Sequence, residues 1–261
     1  MNKVFVMFKG FLKYKNLLFE LVVRDIKIRY RKSILGLLWT LINPLLMMAV
    51  TSIVFSSLFK TDIAHFPVYF LTGSILFTFN SEASTQALMS IISNAGLIKK
   101  VYIPKYLFPF SRVLSSMVNL VFAFISLLLV MLFTGAPFKL TILLFFVPIF
   151  YLVLFTSGLS LILSSLTVFF RDINHLYGVF TLLWGYITPL FYPISIIPEK
   201  FKWVITYNPM YYYIDYFRTL VIDGKVPDLN ANLTCFLIGA VTLIVGLFVF
   251  YRKQDKFILH M

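Results

Sequence analysis

Apolar positions near the start of the chain recur at helical spacing. Phe19, Val22, Val23, Ile26 and Tyr30 share one face of a helical wheel, while Glu20, Arg24, Lys27 and Arg31 fall on the other. From Ile34 to Phe59 no charged residue interrupts the run, which exceeds the roughly 20 residues that cross a bilayer as a helix. The pattern predicts a basic amphipathic helix lying on a membrane surface and passing without a linker into a spanning helix. The expected organisation is a surface segment over residues 1–33 and a membrane-spanning domain over 34–261.

Five more apolar runs follow, at about 67–93, 107–134, 140–169, 174–192 and 232–251. With the first they predict an all-α integral membrane protein of six spans. The stretch between the fifth and sixth runs differs in kind. It is too apolar for a simple external loop, and Pro193, Pro198 and Pro209 break it too often for a spanning helix. Its aromatic residues, among them Tyr192, Trp203, Tyr213, Tyr216 and Phe217, suit a membrane interface. Two short helices dipping into the outer leaflet are expected, with Tyr192, Pro193, Pro198, Trp203, Asn208 and Pro209 as candidate gate residues. Non-spanning backbone survives at that depth only where it is buried in protein or lines a cavity.

Composition agrees with a membrane protein: of 261 residues 60% are hydrophobic and only 13% charged, where a soluble domain carries about a quarter. The formal net charge is +13. Nucleic-acid binding is the weaker explanation, because the basic residues flank apolar runs, where they orient a multi-pass protein. With an even number of spans, seventeen of the 23 Lys and Arg fall on the side of the termini and the rest opposite. Both termini are therefore expected in the cytoplasm. A long charged helix ahead of an overlong apolar run argues against a cleavable signal peptide. Cys235 is the sole cysteine, which rules out an intrachain disulfide.

No catalytic constellation is visible, so the chain is not expected to be an enzyme. Gly224-Lys225 has Thr219 where a phosphate-binding loop needs its first glycine and Val226 where it needs Ser or Thr, so ATP hydrolysis by this chain is not expected. His65, His175 and His260 lack ligand-like spacing, and no metal site is expected. Glu82 is the one acid inside a span, and its charge demands protein, water or Gln86 one turn on. It reads either as lining of a hydrophilic passage or as part of helix packing through Ser81, Ser84 and Thr85. Tyr177, Phe180, Trp184 and Phe191 form a stripe on the fifth span, either a weak sliding surface for sugars or ordinary packed aromatic residues. Between the second and third spans Leu97, Ile98, Val101 and Tyr102 lie at helical spacing before Pro104, an apolar face that needs a partner or lipid to cover it.

Four stretches in order carry a resemblance: RDIKIRYRKSILGLLWTLINPLL, NAGLIKKVYIPKYLFP, FFRDINHL and PISIIPEKFKWVITYNPMYYYIDYFR. Together they resemble the permease subunit of the ABC-2 exporters of polysaccharides and polyol phosphates, a family that includes O-antigen, capsule, cell-wall polysaccharide and teichoic acid permeases. The resemblance implies that Arg24, Asp25, Arg29, Tyr30 and Arg31 belong to an interface helix near lipid head groups. It implies that Asn94, Gly96, Leu97, Ile98, Lys99, Lys100, Val101 and Tyr102 form a coupling helix that enters a groove on a separate ATPase. Arg171 and Asp172 match the family's FRD element, and Pro193 to Pro209 its external gate. It further implies two copies of the chain with two ATPase subunits, ATP and Mg being bound by the ATPase, and a polyprenyl-diphosphate-linked glycan as substrate in a bacterial cytoplasmic membrane. The alternatives are an exporter of a drug or small lipid, a membrane glycosyltransferase, disfavoured by the lone Glu82, and a secondary transporter, disfavoured by the lack of inverted repeats.

Overall fold

The computed structural model describes residues 13–31, 33–58, 63 and 65–260, which are helical nearly throughout. Lys3, Lys9, Lys32, Lys60 and the first twelve residues of the expected surface segment lie outside the described residues. Helix α1 spans Lys15–Tyr30, α2 Leu38–Leu58, α3 Phe66–Leu88, α4 Ala95–Lys100 and α5 Leu107–Thr134. Helix α6 spans Phe146–Phe169 behind a 3₁₀ turn, α7 Ile173–Ile187, α8 Lys202–Thr206, α9 Pro209–Arg218, α10 Leu229–Lys253 and α11 Phe257–His260.

Four helical stretches, starting at Leu38, Leu107, Leu140 and Leu229, are long and apolar enough to cross a membrane. The two other expected spans depart from that standard for different reasons. Helix α3 has 23 residues but carries Thr72, Asn80, Glu82 and Gln86, and it is the most enclosed helix, with Leu71, Leu76, Ala83, Ala87 and Leu88 fully buried. Polar groups are tolerated there because protein surrounds them: Thr156 Oγ1 donates to Asn80 Oδ1 at 2.9 Å. Helix α7 has only 15 residues, about 22 Å at 1.5 Å per residue, against a hydrocarbon core of about 30 Å. Its remaining path is irregular backbone.

Helices α6 and α10 make the closest pair. A Cβ at Gly158 would collide with the backbone of Thr242, and one at Gly246 with the backbone of Gly158, so the two helices touch main chain to main chain. Gly158→Val is expected to cost about 1–3 kcal/mol by forcing the helices apart, read as a lower melting temperature in detergent. Gly178→Ala, where an added methyl meets nothing, is the control.

The core divides in two. The larger cluster joins α3, α5, α6 and α9, and a second one gathers Leu18, Leu21, Ile91, Ile98, Ile103, Tyr106, Phe250 and Phe257. That second cluster brings α1, α4 and the C-terminal turns to one end of the bundle, where Lys253 lies over the Phe169 ring at 5.4 Å. Basic segments distant in sequence thus share one end.

Candidate functional site

At the basic end, α1 docks on the bundle through Leu18, Leu21 and Asp25. These positions lie about a third of a turn from the apolar stripe predicted from the sequence. That stripe is not the docking face: Phe19 remains 66% exposed. Asp25 is buried, accepts from Arg24 at 3.1 Å and is ion-paired with Arg112 at 3.1 Å, off the line of a hydrogen bond. Arg29 pairs with Glu82 of α3. Glu82 Oε1 also accepts from Asn119 at 2.7 Å and Gln86 at 2.8 Å, and Tyr30 donates to Asn119 at 3.2 Å. Arg24 and Arg29 are therefore committed to carboxylates of their own chain, whereas Arg31 is exposed. An expected set of three head-group arginines reduces, in this geometry, to one without a carboxylate partner among the described contacts. Glu82 sits in the basic-end third of its helix rather than at mid-span, satisfied by an arginine that the sequence places 53 residues away.

The segment expected to couple forms a six-residue helix, α4, but its apolar residues do not all point outward. Asn94 and Ile98 are buried, and Ile98 with Leu97 packs in the basic-end cluster. This corrects the expectation of a free face at Leu97 and Ile98: the helix is anchored by them. Gly96, Lys99, Lys100, Val101 and Tyr102 face outward, Tyr102 almost completely so at 91%. Lys105 braces the segment by donating to the Gln254 carbonyl at 2.7 Å, and burial holds its ammonium below the usual lysine range against the opposing pull of Asp255. Arg171 and Asp172 are exposed in the turn before α7.

At the far end a second constellation surrounds the irregular backbone after α7. Asn208 is buried at the start of α9. Its Oδ1 accepts from Trp184 Nε1 at 2.8 Å and caps the Met210 N–H at 3.1 Å, and its Nδ2 donates to Thr188 at 2.9 Å. Arg218, at the end of α9, donates to the carbonyls of Pro189 at 2.9 Å, Leu190 at 3.0 Å and Tyr69 at 3.2 Å, and lies flat on the Tyr69 ring at 3.6 Å. Gly73 leaves room for it, since a Cβ there would meet the guanidinium at 2.9 Å. Tyr69 in turn donates to the Tyr192 carbonyl at 3.0 Å, and Tyr192 to that of Tyr186 at 2.7 Å. One arginine thus satisfies two main-chain acceptors on the irregular backbone beyond α7 and ties them to the Tyr69 carbonyl of α3, which also accepts from Thr72 Oγ1 at 2.8 Å. By the charge count Arg218 is one of the six basic residues on the side opposite the termini. A cation inside an apolar, aromatic run was the signal that marked it.

The expected gate is consequently two things. Residues 193–207 are its loose half, with Pro198 and Trp203 exposed, Trp203 at 61%. From Pro209 on it is a wedge: Tyr213 and Phe217 are fully buried, and Tyr213 donates to the Cys235 carbonyl at 3.1 Å. Tyr213, Tyr216 and Phe217, assigned to an interface by sequence, are core, because α9 lies among α3, α6 and α10. The α7 stripe divides likewise. Tyr177 is buried and donates to Ser84 at 2.7 Å, and Trp184 is buried against Phe77 and Phe155. Phe180 is half exposed, and Phe191 stacks near Phe55 at 5.2 Å. These four do not share one open face within the chain. Among the described residues no group of acidic, His or Cys side chains is placed to hold a metal.

Residues 16–222 match the family model described as ABC-2 type transporter. The chain is 32% identical over 92% of its length to the O-antigen export system permease protein RfbA of Klebsiella pneumoniae, covering 94% of that protein. It is 28% identical over 94% to RfbA of Myxococcus xanthus, covering 95% of it. It is 26% identical over 95% to the polysialic acid transport protein KpsM of Escherichia coli, covering 96% of it.

Proposed function

The chain belongs to the ABC-2 type transporter family of membrane proteins, and from that membership we propose that it is the permease subunit of an ATP-driven exporter of a polyprenyl-diphosphate-linked polysaccharide. The observation that carries this reading is likeness over more than nine-tenths of the chain to an O-antigen export permease and to a polysialic acid transport protein. In this reading two copies enclose the passage with six spans each, both termini face the cytoplasm, and two separate ATPase subunits bind ATP and Mg. The short α7 then counts as the fifth span, completed by the backbone that Arg218 holds. Teichoic acid and capsular polymers stay within the same substrate class. The alternative is export of a drug or small lipid by the same architecture. Deleting the gene and restoring it on a plasmid separates the two: loss and return of surface polysaccharide supports the first, while intact polysaccharide with altered drug susceptibility supports the second.

Energy is proposed to enter at the outward tip of α4. Because Ile98 and Leu97 anchor that helix internally, its exposed end at Val101 and Tyr102 is the part available to an ATPase groove. Changing both to Asp is expected to weaken co-purification of the ATPase at least about tenfold while the permease stays folded, since exposed apolar anchors carry most contact energy. Changing Ile98 to Asp instead is expected to unfold the basic end. Retention of the ATPase by the Val101 and Tyr102 variant rules out the tip as the contact.

A further inference from the structure

A cavity of about 710 Å³ opens between α2, α3 and α5, with the Arg29–Glu82 pair near its basic end. Its wall carries a polar file inside the membrane domain: Ser74, Thr78 and Glu82 recur every fourth residue on α3, which spreads them over about 12 Å along the helix. Asn43 of α2 and Ser116 and Asn119 of α5 face the same space. Thr78 and Asn43 are exposed, on helices that otherwise favour apolar surface. Ser116 stands behind them, its hydroxyl fully buried and without a hydrogen-bond partner among the described residues. Glu82 binds all three of its donors through Oε1. Its second oxygen is thus the one left to accept from a ligand.

The chemistry selects among ligands. Arg29 and Glu82 neutralise each other, so the space presents no net charge to attract an anion. It offers hydroxyls, amides and one carboxylate oxygen, with Trp39 exposed at its rim. Those are groups that match the hydroxyls of a sugar ring, with aromatic surface for its C–H face. We propose that this cavity binds a neutral saccharide ring, a hexose or N-acetylhexosamine of the exported glycan. The proposal rests on the polysaccharide reading above. It places a sugar contact on residues of each single chain.

The test uses the full-length permease in nanodiscs and saturation-transfer NMR with the methyl glycosides of glucose, galactose, mannose and N-acetylglucosamine. Transfer to the ring protons of at least one is expected, weakened about tenfold in Thr78→Leu and in Asn43→Leu, the scale of one or two lost hydrogen bonds, and unchanged by inorganic diphosphate. Both substitutions sit at exposed positions and suit a membrane helix, so folding is retained. Absence of transfer from every glycoside, equal transfer in both variants, or full competition by diphosphate each overturns the assignment, the last in favour of an anion site. Surface polysaccharide after gene deletion is read separately. If deletion removes the polysaccharide while no glycoside binds, only the cavity assignment falls; if the polysaccharide persists, the export reading falls with it.

Discussion

Arg218→Leu is expected to abolish export and to destabilise the purified protein by about 3–5 kcal/mol, the cost of leaving several buried acceptors unpaired. The carbonyls of Pro189 and Leu190, just beyond the end of α7, depend on this guanidinium, which also reaches the Tyr69 carbonyl of α3. In hydrocarbon no water replaces the lost donors. The leucine also gives up the contact with the Tyr69 ring, which adds to the loss. Arg218→Lys keeps the charge but supplies a single compact donor head that cannot span three acceptors in a fork, so an intermediate loss is expected. Melting in detergent gives the order wild type, Lys, Leu. A leucine variant that melts with wild type would show that the irregular backbone is satisfied by other means.

The second large effect concerns the attachment of α1. Arg29→Gln or Glu82→Gln alone strands a charge inside the membrane domain. A fully buried pair broken in this way costs about 3–5 kcal/mol. Here both side chains are about a quarter exposed, 28% and 26%, and the expected cost is discounted to about 1–3 kcal/mol. The double Gln variant leaves no stranded charge and is expected to recover part of it, the sign of a direct coupling. A cysteine placed at Leu21, on the buried face of α1, reports the result through maleimide labelling: slow with the Arg29–Glu82 pair intact, fast in either single variant, intermediate in the double. Additive labelling rates in the double variant would mean that Arg29 and Glu82 act independently.

Much of the architecture was legible in the residues. The charge-free run after residue 33 and the proline breaks act locally, through backbone hydrogen bonds that a short window of sequence decides. The α1 helix also forms where its pattern places it, over Lys15–Tyr30. The facing of side chains was less legible. Phe19, on the stripe expected to lie on a membrane surface, is exposed, but Ile98, on a face expected to need a partner or lipid to cover it, is buried, and Tyr177 and Trp184, open between a passage and plain packing, are packed inside the chain. The Arg29–Glu82 pair and the Arg218 hub join residues 53 and up to 149 positions apart, beyond any local pattern.

The physical reason is the solvent. In water an apolar stripe must turn inward, so periodicity names the core. In a bilayer lipid is as apolar as protein, and burying Leu or Tyr against a neighbouring helix gains little over leaving it in lipid. The sequence by itself therefore determined that the chain enters the membrane, where its helices start and stop, and that its four ordered motifs belong with the ABC-2 permeases. Only the tertiary structure decided which face of each helix meets protein. Close glycine contact, as between α6 and α10, and the pairing of costly polar groups, as at Glu82 and Arg218, make that choice in place of hydrophobicity.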